Sequence, residues 1–235
     1  MQQGALLYEG KAKRVYLTDE TDLVIVDYKD DATAFNGEKR GTIAGKGEIN
    51  NRLSNYFFQL LQRQGIPTHF VQELSPRRTV VKRVEIVPLE VIVRNIAAGS
   101  MSKRLGVPEG QALSCPVLEF SYKNDALGDP MINDYHALAL GLATREEIDT
   151  ICRMTFAINE ILKARYLQVN LILVDFKIEF GRYHGQIVLA DEISPDTCRL
   201  WDVDTHEKLD KDRFRRDLGG VEEAYQQVAK RMLAD

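Results

Sequence analysis

Three ionisable side chains, Asp175, Lys177 and Glu179, alternate along the otherwise apolar segment 171–180. Successive side chains of a β-strand point to opposite faces, so these three share one face and the intervening apolar residues share the other. A buried strand that turns charged in this way is typical of a strand entering a polar cleft. An edge strand with a solvated face would show the same alternation, and this pattern alone favours neither.

A further carboxylate follows in the next segment, where the apolar residues 187–190 end at Asp191. If the hairpin closes with Phe180 opposite Gln186, Asp191 lies on the same face as Glu179, because opposed residues share a face. This register is therefore an expectation on which the proximity of the two carboxylates depends.

Two neighbouring carboxylates offer the hard oxygen ligands that Mg²⁺ prefers, together with water molecules that the ion retains. We therefore expect Glu179 and Asp191 to hold Mg²⁺. Asp175 lies deeper along its strand and is expected to orient Lys177 instead of binding metal.

The segment Gly10-Lys11-Ala12-Lys13 places two lysines on one face of a strand that begins at a flexible turn. Backbone N–H groups and ammonium groups in such a segment can lie along a polyphosphate. Alternating lysines on an edge strand also serve solubility, so this signal is weak without others.

Arginines offer a second kind of anion site. Arg94 ends the apolar run 91–93 and is followed by Ala98-Gly99-Ser100. A Gly-Ser turn beside an arginine can bind a phosphate monoester through the hydroxyl, the N–H groups and the guanidinium. An ordinary arginine leaving a core strand is the alternative. Further candidates, each of which could equally be a surface residue, are Arg199, Arg213, Arg215 and Arg216.

The elements that must position these residues change in character along the chain. The first part is typical of short strands, predicted at 5–9, 12–17, 23–28, 69–72, 79–83 and 89–96, with one helix through Ile49 to Leu61 that ends before Gly65. The second part is more helical: Thr144 to Glu147 have capping-box form and are predicted to open a helix, and apolar spacing predicts a closing helix from Val221 to Met232. Strands without regular alternation with helices indicate an α+β fold in two lobes, divided near residue 85.

Composition excludes several classes of function. The 235 residues carry 31 Lys+Arg against 35 Asp+Glu, a formal net charge of −4, which argues against a general binder of nucleic acid. No apolar run is long enough for a signal peptide or a membrane span. Three cysteines, far apart in the chain, fit reduced thiols and predict a cytoplasmic protein.

Several long motifs, in order, are similar to those of the phosphoribosylaminoimidazole-succinocarboxamide synthase (SAICAR synthetase) family of single-function bacterial enzymes. The two signature segments are 87–100 (VPLEVIVRNIAAGS) and 173–181 (LVDFKIEFG). The resemblance extends over essentially the whole chain, through segments 8–13, 123–125, 191–196, 199–202 and 210–215.

The resemblance implies an ATP-dependent ligase of purine biosynthesis. Such an enzyme joins the carboxylate of carboxyaminoimidazole ribonucleotide to the amine of L-aspartate and releases ADP and phosphate. It also implies Mg²⁺, a homodimer, and an N-terminal antiparallel sheet lobe (1–85) over a mixed α/β C-terminal lobe (86–235), with ATP in the cleft between them. This fold is related to ATP-grasp and kinase-like folds.

The resemblance also implies roles for particular residues. The ATP phosphates would lie under Gly10, Lys11, Ala12 and Lys13. The adenine would lie against the segment 81–86, which includes Val81, Lys82, Glu85 and Ile86. The ribonucleotide phosphate would be bound by Arg94, Ser100 and Arg199, with Arg215 and Lys123 nearby. Mg²⁺ would be held by Glu179 and Asp191, and the reacting groups would lie against the catalytic set Lys177, Lys13 and Asp175.

Two other functions use the same features. A small-molecule kinase needs similar lysines and metal-binding carboxylates, but its ADP release would not require both the ribonucleotide and aspartate. A non-catalytic nucleotide-binding module would bind ATP with Glu179 and Asp191 dispensable.

Overall fold

A computed structural model of the chain describes residues 1–34 and 37–234. The strands are β1 Gln3–Glu9, β2 Lys13–Thr18, β3 Leu23–Tyr28, β4 Asp31–Ala34, β5 Lys39–Thr42, β6 Phe70–Ser75, β7 Arg78–Lys82, β8 Glu85–Ile96, β9 Ala112–Tyr122, β10 Met131–Ile132, β11 Leu171–Tyr183, β12 Gln186–Ala190 and β13 Cys198–Asp202. The helices are α1 Lys46–Arg63, α2 Gly99–Leu105, α3 Asp134–Ala139, α4 Arg145–Leu167, α5 Asp212–Arg215 and α6 Val221–Met232, with a 3₁₀ turn at Asp125–Leu127.

The strands form antiparallel sheets. A five-stranded sheet has the order β1-β2-β3-β7-β6, and a second sheet has the order β10-β9-β8-β11-β12, with β13 also paired to β11. β4 and β5 form a separate hairpin. The fold is therefore mixed α+β with antiparallel sheets, as predicted.

The helices follow from their local sequence. Thr144 and Glu147 form the predicted capping box, each side chain bonding the other residue's backbone N–H at the start of α4. In the apolar stripe of α1, Leu53 and Phe57 are fully buried, and Ile49 is partly buried; in the stripe of α6, Val228 is fully buried. All three predicted helices are confirmed.

The main core lies between the second sheet and the helices α1, α4 and α6. Phe176, Ile178 and Phe180 of β11 belong to it and are 0–1% exposed, so the opposite face of this strand is free to carry the ionisable residues. β11 is central in its sheet, with neighbours on both sides, so the edge-strand alternative is wrong.

The sequence patterns missed several elements. Strands β9 and β13 were not predicted, and Gly99 and Ser100 begin the short helix α2 where only a turn was expected. Lys11 lies in the turn before β2 and not on a strand beside Lys13. Within the described residues, no helix combines the length and apolarity needed to cross a membrane.

Candidate active site

Two antiparallel registers place charged residues in rows across the sheet. Asp175 of β11 lies directly opposite Arg94 of β8 on one side and Arg199 of β13 on the other. Glu179, four residues further along the same face, lies opposite Glu90 of β8. Directly opposed residues share a face, so these charged side chains lie on one face of three strands, with Ile92 opposite Lys177 between the two rows.

The first row is an arginine–carboxylate–arginine set. Arg94 Nη1 donates to Asp175 Oδ2 at 2.9 Å, and Arg199 Nη1 donates to the same oxygen at 2.8 Å. Arg94 Nη2 also donates to Ser100 Oγ at 3.1 Å. Asp175 therefore holds two arginines, and among the described residues no hydrogen bond or ion pair joins it to Lys177, which it was expected to orient.

The second row surrounds Lys177 with carboxylates. Its Nζ donates to Glu90 Oε1 and lies 3.7 Å from Glu179 Oε1. Burial by itself would lower the pKa of Lys177, but the charges of Glu179 and Glu90 raise it well above its ordinary value. Lys177 is therefore a fixed cation between two strands.

Glu179 is almost fully buried and accepts a hydrogen bond from Lys123 Nζ at 2.8 Å. Burial, followed by the neighbouring charge of Asp191, raises the pKa of Glu179 above its usual range. Asp191 behaves differently: burial opposes its ionisation, but the ammonium groups of Lys13 and Lys177 lower its pKa to about 2. The charge of Asp191 therefore acts on Glu179.

The predicted hairpin register, however, is wrong. The turn is only two residues long, with His184 and Gly185 both at positive φ, and Phe180 lies opposite Leu189 instead of Gln186. Glu179 pairs with residue 190, so a continued strand would turn residue 191 to the other face.

Asp191 reaches the site because the strand ends before it. Its φ is +61°, in the left-handed region, and its carboxylate accepts a hydrogen bond from Lys13 Nζ at 2.6 Å. The same ammonium lies 2.6 Å from Glu192 Oε2. Lys13 of β2 thus ties the first sheet to the segment that follows β12.

These residues line two adjacent cavities. The larger, about 290 Å³, is bounded by the segment 10–13 and includes Lys123, Lys177, Glu179 and Asp191. The smaller, about 130 Å³, is lined by residues that include Arg94, Ser100, Asp175, Arg199 and Arg215. Four residues contribute to both walls: Lys177, Asp196, Thr197 and Arg215. The lysine-rich and arginine-rich regions therefore adjoin each other.

Two of the predicted sets differ from the rest: Lys11 is at an exposed part of the larger cavity, and the adenine segment lies outside both cavity walls. Lys11 lines the larger cavity but is exposed and bonds Asp125 at 2.8 Å. The proposed adenine segment lines neither cavity. Val81 is buried in β7, and Ile86 is partly exposed. Lys82 Nζ donates to the backbone carbonyl of Thr68, and Glu85 accepts a hydrogen bond from Arg182.

Eight residues that line the larger cavity were not among the predicted site residues: Tyr8, Glu90, Asp125, Asp129, Glu192, Asp196, Thr197 and Lys211. Glu90 could have been found as a single carboxylate within an apolar strand run. Asp196 is held by the fully buried Lys46 at 2.8 Å, a contact 150 residues apart that no local pattern reveals. Among the described residues, no group of three or more His, Cys, Asp or Glu side chains is arranged for a metal ion.

Comparison with known proteins identifies the family to which the chain is similar. The SAICAR synthetase family model matches residues 6–232. A phosphoribosylaminoimidazole-succinocarboxamide synthase from Lachnoclostridium phytofermentans is 67% identical over 226 residues, which cover 96% of each chain.

Solved structures agree with this match. The enzyme of the same name from Ehrlichia chaffeensis is 44% identical, with a TM-score of 0.96 and coverage of 98% of this chain and 99% of that one. A SAICAR synthetase solved in complex with ADP is 50% identical, with a TM-score of 0.94 and coverage of 97% of both chains.

The class that these comparisons define is an ATP-dependent carbon–nitrogen ligase of purine biosynthesis. More specifically, the chain belongs to the SAICAR synthetase family, which confirms the family predicted from its motifs.

Proposed function

We propose that the chain joins the carboxylate of carboxyaminoimidazole ribonucleotide to the amine of L-aspartate and converts ATP to ADP and phosphate. The shared wall of the two cavities carries this proposal, because a lysine-and-carboxylate region suits a triphosphate and the adjoining arginine region suits a phosphate monoester. A ribonucleotide bound between them would present its base near Lys177.

The ATP phosphates are assigned to Gly10, Lys11, Ala12 and Lys13, which line the larger cavity. The adenine is assigned to the segment 81–86, where β7 of the first sheet leads into β8 of the second. That change of sheet supports the proposed boundary near residue 85, between lobes 1–85 and 86–235. We further propose that the fold is related to ATP-grasp and kinase-like folds.

Glu179 and Asp191 would hold Mg²⁺. The donor set fits, since both are carboxylates lining one cavity, and Mg²⁺ commonly takes one or two protein carboxylates with phosphates and water as the remaining ligands. When bound, the ion would neutralise charge on the phosphates. Lys13 and Lys123, which now bond these carboxylates, would then be available to the phosphates as well.

The chemistry needs an activated carboxylate, because a carboxylate oxygen does not leave by itself. Transfer of the γ-phosphoryl group turns that oxygen into part of a phosphate, which the amine of L-aspartate displaces. Such transfer depends on positioning and charge stabilisation. Lys177, fixed by Glu90 and Glu179, would supply that charge beside the reacting carboxylate.

The ribonucleotide phosphate is assigned to Arg94, Ser100 and Arg199, with Arg215 beside them. Asp175 serves this phosphate site by holding two of the arginines. We further propose a cytoplasmic homodimer that needs neither nucleic acid nor a membrane. The free cysteines, Cys115, Cys152 and Cys198, agree with a reducing compartment.

One incubation tests the reaction. The protein is mixed with ATP, Mg²⁺ and the ribonucleotide, with and without L-aspartate, and ADP and the succinocarboxamide product are measured. We expect both products only when both substrates are present. Many turnovers of ATP to ADP without aspartate, with release of a stable phosphorylated ribonucleotide, would instead indicate a kinase. ATP binding without turnover would indicate a nucleotide-binding module.

A further inference from the structure

A buried carboxylate outside both cavity walls connects two arginines of the smaller cavity. Asp212, the first residue of α5, has a side chain only 1% exposed. Its Oδ2 accepts a hydrogen bond from Arg199 Nε at 2.9 Å, and its Oδ1 accepts one from Arg215 Nη1 at 2.7 Å. We propose that Asp212 is a positioning residue that aims both guanidinium groups at the ribonucleotide phosphate, an inference that rests on the proposed function of that cavity.

The contacts leave each arginine with free donors. Arg199 uses Nε for Asp212 and Nη1 for Asp175, so its edges are held from two sides. Its Nη2 makes no hydrogen bond to any described residue, and Arg215 uses only Nη1. A guanidinium has five N–H donors, and the remaining ones are those a phosphate can receive.

The backbone closes a third side of the Arg199 head group. Gly99 has φ +56°, and a Cβ atom there would lie 2.4 Å from Arg199 Nη2 and 2.6 Å from its Cζ. Because both carboxylates hold this guanidinium, it cannot move aside cheaply. Only glycine permits this contact, and Gly99 directly precedes Ser100 of the same cavity.

Asp212 is itself fixed to the strand that carries Arg199. Its backbone N–H donates to Asp210 Oδ1 at 2.7 Å, and Asp210 Oδ2 accepts the N–H of Leu200 at 2.9 Å. The carboxylate and the arginine are thus parts of one rigid unit before any ligand binds. Such preorganisation lowers the entropy lost when the phosphate is bound.

The test is the isosteric variant Asp212→Asn. An amide has one acceptor oxygen, so one guanidinium must face an NH₂ group instead of a carboxylate. We expect the KM for the ribonucleotide to rise about 10- to 100-fold, with the kcat and the KM for ATP nearly unchanged. The same ribonucleoside without its phosphate should be used by variant and parent enzyme with equal kcat/KM.

Arg216→Ala is the matched control. Arg216 also lies near Asp212, at 3.6 Å, but it bonds Glu109 and lines neither cavity. We expect its ribonucleotide KM to match the parent enzyme. A restored low KM in Asp212→Glu would further support a role for the carboxylate charge.

Arg199→Ala distinguishes a failure of the phosphate assignment of the cavity from a failure of the positioning role of Asp212. If Arg199→Ala leaves the ribonucleotide KM unchanged, the phosphate assignment of the cavity fails, whatever Asp212 does. If Arg199→Ala raises that KM and Asp212→Asn does not, the positioning role is overturned. An equal loss on the ribonucleotide and on the ribonucleoside would also overturn it, because general damage affects both.

A second variant covers the case in which Asp212→Asn does not fold. Gly99→Ala presses on the same guanidinium from its backbone side and leaves the carboxylate intact. We expect the same selective rise in ribonucleotide KM, with ADP binding unchanged by calorimetry. An unchanged ribonucleotide KM in a folded Gly99→Ala variant would contradict a fixed, ligand-ready Arg199.

Discussion

Replacing Asp191 by asparagine tests the proposed metal site most directly. The Asp191 carboxylate has its pKa lowered to about 2, chiefly because the ammonium groups of Lys13 and Lys177 outweigh its burial, so it is an anion throughout the neutral range. The asparagine keeps the shape and removes that charge. Asp191→Asn therefore changes the electrostatics of the site with little change in packing.

The magnitude follows from the neighbouring charges. Two unit charges about 4 Å apart interact by about 4 kcal/mol at an effective dielectric constant near 20. The loss of part of that interaction, about 3 kcal/mol, corresponds to a fall of about 100-fold in kcat. Folding should change little, because Lys13 keeps Glu192 at 2.6 Å as a partner.

The assay measures kcat over a range of Mg²⁺ concentrations, and again with Mn²⁺. We expect high Mg²⁺ or Mn²⁺ to restore part of the lost activity, because a weakened site is filled by mass action. Asp134→Asn, at an exposed carboxylate that bonds Arg145 and lines neither cavity, is the control and should retain the parent kcat. Near-normal activity of Asp191→Asn at low Mg²⁺ would refute the metal assignment.

Three further predictions concern other parts of the molecule. Asp175→Asn should loosen Arg94 and Arg199 and raise the KM for the ribonucleotide about tenfold or more, without rescue by Mn²⁺; rescue would mean that Asp175 binds metal. Isotopic oxygen placed in the ribonucleotide carboxylate should appear in the released phosphate by mass spectrometry, and its complete retention in the amide would exclude carboxylate phosphorylation. Burial, and then the charge of Asp212, raises the pKa of Asp210 from 3.8 to about 7. Between pH 3.8 and about 7, Asp210 therefore keeps its proton in the folded state but loses it in the unfolded state. The free energy of unfolding should therefore fall as pH rises from about 4 to 7, by up to about 1.4 kcal/mol per unit, and urea denaturation of Asp210→Asn should show a flatter profile; an unchanged slope would refute the assignment.

Local periodicity was enough to predict part of the candidate site and the three helices. The shared face of Asp175, Lys177 and Glu179 follows from strand geometry within ten residues, and the helices follow from apolar spacing and a capping box. Each of these features depends on backbone geometry that repeats every two to four residues. The motifs that run through the whole chain likewise identified the family.

Tertiary structure alone decided which of these residues meet. The hairpin register depended on a two-residue turn with both residues at positive φ, and a shift of three residues reverses the face that each side chain occupies. Asp191 still joins Glu179, because the backbone leaves the strand at that residue.

The partners of Asp175 likewise could not be predicted from the local sequence. Its strand gives Lys177 as a neighbour two residues away, but the two flanking strands place Arg94 and Arg199 directly opposite it. Strand order and register bring Arg94 to Asp175 across 81 positions of the chain, and no local pattern contains that information. The sequence therefore determined the chemical groups, and the pairing of strands determined which groups act together.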